Sequence, residues 1–251
     1  TPCGTLFPYT TLFRSAMLAK KAFRIALSLP LMGDLDEEDR VRAVITGNPV
    51  RPEIASLYSE PYPELAEDGP LHIFVTGGSL GARVFSEVLP VALSPLYPVH
   101  KRRLRIVQQC RDEDIGSVQN IYEDNKIEHR LQSFFDDMAD ELRKAHLVIG
   151  RSGASTVAEI TTAGRPAIFV PYPHHKDQQQ KMNAEALAEA GGAWIMPEEG
   201  FTAEALRARL ETFLQHPELL FRAAEKSRAH GKPDAARKLG NLVTAVVSGW
   251  N

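Results

Sequence analysis

Six short apolar runs recur along the chain, and most are followed by a segment with the spacing of an amphipathic helix. The runs cover residues 71–76, 104–109, 127–132, 146–149, 167–170 and 193–196. The main helices are predicted over residues 83–93, 180–190, 202–214, 217–229 and 233–248. Strands that alternate with helices pair in parallel and bind ligands at their carboxyl ends. The sequence therefore predicts an α/β fold built on a Rossmann-like parallel sheet.

The segment from Arg151 to Glu159 joins the fourth apolar run to a helix predicted to begin near Ala154. Its turn consists of small residues, so the unpaired amides of the first helical turn face the carboxyl end of the strand. Amides in that position suit a diphosphate. Glu159 lies one turn further along and offers a carboxylate to a pair of ribose hydroxyls. The segment predicts a site for a nucleotide diphosphate.

Three other segments are expected to converge on this site. The glycine-rich turn 77–82 follows the first strand and carries the Ser79 hydroxyl, and its glycines allow backbone to approach a phosphate closely. Segment 171–180 ends in Gln179 and Gln180 at a helix start, where amide groups suit sugar hydroxyls. Segment 47–51 ends in Arg51, whose guanidinium matches the geometry of a phosphate.

Taken together, these motifs resemble the donor-binding, C-terminal half of the MurG family, the family 28 glycosyltransferases of GT-B type. The order of motifs matches from about residue 47 to about residue 246. The resemblance places Arg51 and Ser79 at the donor diphosphate, Glu159 at the ribose, and Gln179 and Gln180 at the sugar. It also places the backbone of Phe135 beside the uracil. The turn residues Ala154, Ser155 and Thr156 complete the substrate-binding set.

The resemblance implies an inverting transfer of N-acetylglucosamine from UDP-N-acetylglucosamine to a lipid-linked muramoyl-pentapeptide, the step from lipid I to lipid II of peptidoglycan synthesis. It implies no cofactor, and a location at the cytoplasmic face of the bacterial inner membrane through peripheral contact. The family's GGTGGH segment, which holds the proposed general base, is not found before Gly47. A general base must lie within hydrogen-bond reach of the attacking hydroxyl. We therefore assign no catalytic residue and expect this chain alone to be inactive.

Three regions are predicted along the chain. Residues 1–15 fit no helix or strand period and resemble translated sequencing adapter, so we expect a non-native tail. Residues 16–46 are interpreted as a remnant of the N-terminal acceptor domain, with a strand over 23–29. Residues 47–251 form the donor-binding domain with its C-terminal helices, and residues 57–70, rich in proline, are predicted to be a linker or surface loop.

Composition excludes several classes of protein. The formal net charge of −3 does not give the excess of basic residues that is typical of proteins that bind nucleic acid. No apolar run approaches the roughly 20 residues that a helix needs to cross a bilayer. The turn 77–81 lacks the G-x-G-x-x-G spacing, and the second strand ends in glutamines rather than an acidic residue, which argues against NAD. His174 and His175 with Asp177 are adjacent residues without a further ligand cluster, so no metal site is predicted.

Two alternatives to a transferase stay open. The chain is either a non-catalytic sugar-nucleotide-binding subunit that needs a separate membrane partner, or another GT-B-fold enzyme, such as a UDP-N-acetylglucosamine epimerase. The epimerase needs acid and base groups facing the sugar from both domains, and no such set is identified. Arg151 and Arg165, which flank the central helix, are interpreted as surface salt-bridge partners, with Arg151 also a neighbour of the site.

Overall fold

The computed structural model describes residues 19–28, 35–66, 68–78, 82–173 and 179–249. Eight strands lie in two parallel sheets. The smaller sheet pairs β1 (Ile25–Leu27) with β2 (Ala43–Ile45). The larger sheet contains β3 (Leu71–Thr76), β4 (Leu104–Gln109), β5 (Glu128–Gln132), β6 (Leu147–Gly150), β7 (Ala167–Phe169) and β8 (Ala193–Ile195).

Helices connect and cover these strands. In chain order they are α1 (Glu37–Arg42), α2 (Pro52–Ser56), α3 (Arg83–Leu93), α4 (Pro98–Arg103), α5 (Asp112–Asp124), α6 (Met138–Lys144), α7 (Ala154–Ala163), α8 (Gln179–Glu189), α9 (Ala203–Gln215), α10 (Glu218–His230) and α11 (Ala235–Val247). Short 3₁₀ turns lie at Leu57–Ser59 and Glu198–Gly200.

The large sheet has the strand order β5-β4-β3-β6-β7-β8, and every neighbouring pair is parallel. Numbered from β3, this is the order 3-2-1-4-5-6 of a Rossmann-like sheet, whose ligand crevice opens where the order reverses. The reversal lies between β3 and β6. The predicted α/β fold is confirmed, and the six predicted strands differ from the observed ones by no more than one residue at either end.

The central strands are apolar on both faces because helices cover both sides of the sheet. Ile73, Val75 and Ile149 belong to one buried cluster, together with side chains of α3, α5 and α9. Phe74 and Val148 point to the opposite face and join a second cluster with α2, α6, α7 and α8. Two cores therefore hold β3 and β6 in place and fix the crevice between their ends.

We call the side of the large sheet where its strands begin the amino edge, and the side where they end the carboxyl edge. At the amino edge, hydrogen bonds of polar side chains hold the chain before β3 against the sheet. Tyr62 donates its hydroxyl hydrogen bond to the His146 carbonyl at 2.7 Å, and Leu57 is fully buried. His146 in turn accepts from the backbone amide of His72 through Nδ1 at 3.0 Å, and Nε2 lies 3.1 Å from the Glu64 carbonyl. Residues 57–66 and 68–70 are therefore a packed surface segment, which corresponds to the surface loop of the two readings given for 57–70.

Arg165 is fully buried, so its interpretation as a surface salt-bridge residue was wrong. Its guanidinium donates to the carbonyls of Leu142 at 2.6 Å and Arg143 at 3.1 Å, which lie in the last turn of α6. It also lies 5.7 Å from the ring centre of Tyr62. Burial lowers the pKa of Arg165 to about 10, with the charge of Arg228 acting in the same direction. Arg165 therefore caps the carboxyl end of α6 from inside the protein.

The turn after β2 packs closely against the segment that leads into α11. Gly47 has a φ of 82°, and a side chain there would meet the Lys232 side chain at 2.8 Å. The left-handed backbone and the close approach both require glycine. The division into a remnant at 16–46 and a donor-binding domain from residue 47 stays a prediction, as does the non-native character of residues 1–15, since 1–18 lie outside the described residues.

Candidate nucleotide-binding site

The candidate site lies at the carboxyl ends of β3 and β6, where the strand order reverses. The two strands approach so closely that a Cβ added at Gly150 would lie 2.9 Å from the Thr76 carbonyl oxygen. The backbone then turns through Arg151, Ser152 and Gly153 into α7. The absence of a side chain at Gly150 therefore brings the two strand ends together at the floor of the crevice.

The amino end of α7 supplies hydrogen-bond donors to this crevice. Gly153 is the N-cap and has no side chain to cap the helix, and the first helical bond runs from the Val157 amide to the Gly153 carbonyl. The amides of Ala154, Ser155 and Thr156 precede that bond and carry the positive end of the helix dipole. Ser152 is fully buried, and its hydroxyl has no hydrogen-bond partner among the described residues. These groups form a site suited to an anion.

Glu159 and Arg51, two residues predicted for the site, contact each other. The Arg51 guanidinium lies 3.3 Å from the Glu159 carboxylate, with the side chains 47% and 17% exposed respectively. Burial raises the pKa of the Glu159 carboxyl, and the charge and hydrogen bond of Arg51 offset part of that rise. Nearby, the Asn48 side chain donates to the Ser155 hydroxyl at 3.4 Å. Segment 48–51 thus lies along the first two turns of α7.

The turn after β3 is braced by a residue that the sequence did not indicate as functional. Gln109, at the end of β4, accepts hydrogen bonds from the Thr76 hydroxyl and the Gly77 amide, both at 3.1 Å. It donates to the carbonyls of Gly78 at 2.9 Å and Ser133 at 3.1 Å. A polar side chain at the last position of a buried strand is the only signal that could have identified it. Ser79, predicted at the diphosphate, lies outside the described residues.

Phe135 occupies the loop 133–137 after β5, on the same edge of the sheet. Its side chain is buried and packs edge-on against Phe74, with ring centres 5.5 Å apart. The Arg130 guanidinium lies over its outer face at 5.0 Å. The aromatic ring is therefore an anchor for the loop, which leaves the backbone as the part of Phe135 available for the predicted contact with a base.

Arg151 is mostly buried and holds the segment that leads to the predicted sugar-binding glutamines. It donates to the carbonyls of Val170 at 3.0 Å and Pro171 at 3.3 Å, and forms an ion pair with Glu198 at 2.5 Å. Its guanidinium also lies 5.4 Å from the ring centre of Tyr172. Arg151 thus supports the site from inside, and its interpretation as a surface residue was wrong.

Gln179 and Gln180 begin α8, close to the carboxyl end of β7. Gln180 accepts a hydrogen bond from the Tyr172 amide at 3.0 Å, which fixes its side-chain oxygen toward the strand end. Residues 174–178, including His174, His175 and Asp177, lie outside the described residues.

Asn183 connects α8 to the turn before α7, and the sequence reading did not identify it. Its side chain is buried and donates to the Ser152 carbonyl at 3.0 Å. A cavity of about 300 Å³ opens beside these helices and is lined by Asn48, Ala154 and Asn183 among others. Asn183 therefore fixes the first turn of α7 relative to the helix that carries both glutamines.

In the described part of the chain, no group of three or more His, Cys, Asp or Glu side chains is arranged to hold a metal ion. No helix within the same residues has both the length and the apolar character needed to span a membrane.

Comparison with known families gives one family match. Residues 72–239 match the C-terminal domain of glycosyltransferase family 28. This range includes the six-stranded sheet except Leu71, and also α7 and the residues of the crevice except segment 48–51.

Related sequences and structures agree with that match. A UDP-N-acetylglucosamine–N-acetylmuramyl-(pentapeptide) pyrophosphoryl-undecaprenol N-acetylglucosamine transferase of Rhodospirillum centenum is 50% identical over 227 residues, which are 90% of this chain and 60% of the relative. The crystal structure of Acinetobacter baumannii MurG superimposes with a TM-score of 0.75 at 33% identity, over 92% of this chain and 63% of that one. This chain thus spans about three-fifths of the length of these relatives.

The GT-B fold extends to more distant proteins. A UDP-N-acetylglucosamine 2-epimerase of Neisseria meningitidis superimposes with a TM-score of 0.62 over 94% of this chain and 65% of that one, at 11% identity. At that identity the likeness concerns the fold alone.

Proposed function

Because the chain belongs to glycosyltransferase family 28, through that family's C-terminal domain, we propose that it carries the donor site of an N-acetylglucosaminyltransferase of peptidoglycan synthesis. The donor is UDP-N-acetylglucosamine. The acceptor is a lipid-linked muramoyl-pentapeptide, which the N-terminal acceptor domain of the full-length enzyme holds. The full-length enzyme contacts the cytoplasmic face of the inner membrane peripherally.

The observation that carries this proposal is the turn from β6 into α7. It combines free first-turn amides with the Glu159 carboxylate further along the same helix. A nucleoside diphosphate has the matching groups: a diphosphate for the amides, and ribose hydroxyls that donate to a carboxylate. A phosphate-binding turn followed by a ribose-binding acid on one helix is therefore the basis of the assignment.

The chemistry of this half is to bind the donor and stabilise the leaving group. Displacement at the anomeric carbon by a muramyl C4 hydroxyl leaves negative charge on UDP. Amides and the dipole of α7 lie where that charge develops, and they are oriented before the reaction begins. Arg51, which is half-exposed beside Glu159, is close enough to α7 to add a positive charge. No metal ion is required for this role.

The proposed roles of the remaining residues follow from their positions. Gln179 and Gln180 meet the sugar at the start of α8, and the backbone of Phe135 meets the uracil. Ser79 is assigned to the diphosphate on the resemblance alone. The proton of the attacking hydroxyl is taken by a base in the acceptor half.

Titration calorimetry of the chain without residues 1–15 tests the proposal. The ligands are UDP-N-acetylglucosamine, UDP-N-acetylgalactosamine and NAD. We expect tight binding of UDP-N-acetylglucosamine, weaker binding of UDP-N-acetylgalactosamine and no binding of NAD. If the folded chain binds none of the three, the donor-site proposal is wrong for this chain.

A second experiment separates the transferase from the epimerase. The chain is mixed with UDP-N-acetylglucosamine, with and without the separately expressed N-terminal half of the Rhodospirillum centenum relative and a lipid I analogue. Transfer only in the complete mixture supports the transferase. Release of the 2-epimer of the donor sugar by the chain supports an epimerase instead.

A further inference from the structure

We propose that Gln109 is a positioning residue that couples the glycine turn after β3 to the loop after β5, so that both present their backbone to one nucleotide. This inference rests on the proposed function. One side chain of β4 would fix the position of the segment that meets the diphosphate relative to the loop that meets the base.

The hydrogen bonds of Gln109 use the full capacity of a carboxamide. Its oxygen accepts from the Thr76 hydroxyl and the Gly77 amide, and its nitrogen donates to the carbonyls of Gly78 and Ser133. All four distances lie between 2.9 and 3.1 Å, and the residue is only 5% exposed. Two acceptor sites and two donors are what a primary amide offers.

This arrangement is specific to glutamine. A carboxylate of the same length would keep the two accepted bonds but would face the carbonyls of Gly78 and Ser133 without a proton to donate. An apolar side chain would remove all four hydrogen bonds, including the one to the buried Thr76 hydroxyl. The order of oxygen and nitrogen is also fixed, because a flipped amide would place its donors against the Gly77 amide.

The residues that Gln109 braces are partly or fully exposed apart from Thr76. Gly78 has a φ of 80°, and a Cβ added there would meet no atom within 4 Å. Ser133 begins the loop that is anchored at the other end by the Phe135 ring. Since loops must be ordered before they bind, a side chain that orders both in advance lowers the entropic cost of binding.

Gln108 provides a matched control one residue earlier. It is the same amino acid in the same strand and is also fully buried, but it points to the opposite face of β4. There it accepts a hydrogen bond from the Tyr122 hydroxyl of α5 at 2.6 Å. Loss of the Gln108 amide disturbs the core without touching either loop.

Hydrogen–deuterium exchange tests the brace without any nucleotide. In Gln109→Met, we expect faster exchange in both residues 76–78 and residues 133–137. In Gln108→Met, we expect faster exchange in α5 but not in the two loops. Unchanged exchange of the loops in Gln109→Met, or equal changes in both variants, would overturn the proposal.

Calorimetry with UDP then tests the link to the nucleotide. We expect Gln109→Met to weaken UDP binding by about tenfold, because the two loops must then be ordered when the nucleotide binds. Gln108→Met should bind within about threefold of the unchanged chain. If exchange rises in both loops and UDP affinity stays the same, the coupling to the nucleotide is disproved while the proposed function stands.

Failure of the unchanged chain to bind UDP overturns the proposed function and, with it, this inference. The exchange experiment then still decides whether Gln109 orders the loops, so the two failures are told apart.

The variant Gln109→Glu adds a readout that a purely structural role would not give. At neutral pH its carboxylate has no proton to donate, so UDP binding should be weak. Protonation at lower pH restores one donated hydrogen bond, and affinity relative to the unchanged chain should therefore recover as pH falls from 7 to 5. A pH profile parallel to that of the unchanged chain would contradict the proposed role.

Discussion

The two edges of the large sheet use polar side chains in opposite ways. At the amino edge, His146 and Arg165 are buried and Tyr62 is partly buried, and their polar atoms bind backbone carbonyls or amides. At the carboxyl edge, the first-turn amides of α7 have no helical partner, and Arg51 and Glu159 form a partly exposed pair. The comparison teaches that polar residues hold the fold together at one edge, and that the other edge keeps polar groups available for a ligand.

The comparison predicts that substitutions at the amino edge reduce stability and that substitutions at the carboxyl edge reduce binding. Buried polar groups with satisfied partners are costly to remove, whereas half-exposed ion pairs contribute little to stability. Each variant below is therefore measured for both quantities.

The largest effect is expected for Arg165→Met. The carbonyls of Leu142 and Arg143 would stay buried without donors, so the free energy of unfolding should fall by about 2–4 kcal/mol. Urea unfolding measures this loss, and UDP affinity of the folded variant should be unchanged at 10 °C.

Arg143→Met is the control for that variant. The Arg143 side chain is 42% exposed and pairs with Glu60, so its loss should cost about 0–1 kcal/mol. Equal losses of stability in the two variants would show that burial of the Arg165 guanidinium has no special role.

The next effect concerns pH and His146. Burial lowers the pKa of His146 from 6.5 to about 4, with smaller contributions from the charges of His72 and Arg165, although the hydrogen bond to Glu64 opposes the shift. The unfolded chain therefore binds the proton more readily than the folded chain. The stabilisation is fully present above pH 6.5 and is lost as pH falls toward 4, by about 2–3 kcal/mol at pH 4.5.

Urea unfolding at pH 7 and pH 4.5 measures this loss in the unchanged chain and in His146→Gln. The variant keeps His72 and all carboxylates. Any difference between the two proteins in the loss of unfolding free energy from pH 7 to pH 4.5 is therefore due to His146. We expect a smaller decrease in the variant, and parallel decreases would disprove the assignment.

The smallest of the three effects is expected for Glu159→Ala. Loss of the carboxylate that accepts from ribose should weaken UDP binding by about 1–3 kcal/mol. Stability should change little, because burial already disfavours the charged form of Glu159. The same raised pKa predicts that UDP affinity of the unchanged chain falls as acid protonates this carboxyl.

Glu53→Ala is the matched control, since Glu53 is an exposed acid of α2 close in sequence to Arg51. Titration calorimetry should give unchanged affinity for this control. If Glu159→Ala also binds UDP normally, the carboxylate does not hold the ribose.

The sequence predicted the sheet well because most of its strands are short and apolar. The convergence of segment 47–51 on the nucleotide site stays a prediction, although Arg51 does contact Glu159 of α7. Helix α1 was not predicted, since its sequence EEDRVR has no apolar period. Elements with a clear apolar pattern in their own sequence were predicted, and an element without one was missed.

Long-range hydrogen bonds could not be predicted in the same way. Arg165 follows a glycine in a segment that reads as a surface turn, and its partners in α6 lie more than twenty residues earlier. Gln109 and Asn183 likewise act through carbonyls of other segments. Backbone carbonyls have no sequence signature, so side chains that bind them are recognised only in the folded structure.

The strand order also governs how this domain assembles. β3, β4 and β5 pair with one another in sequence order, and so do β6, β7 and β8, whereas the only strand pairing between these halves joins β3 to β6. At that junction Ile73 pairs with Leu147, a contact distant in sequence, and we expect it to form late because closing the intervening loop is costly. The crevice lies across this seam. It is therefore completed only when both halves have docked, and a nucleotide bound there would slow their separation.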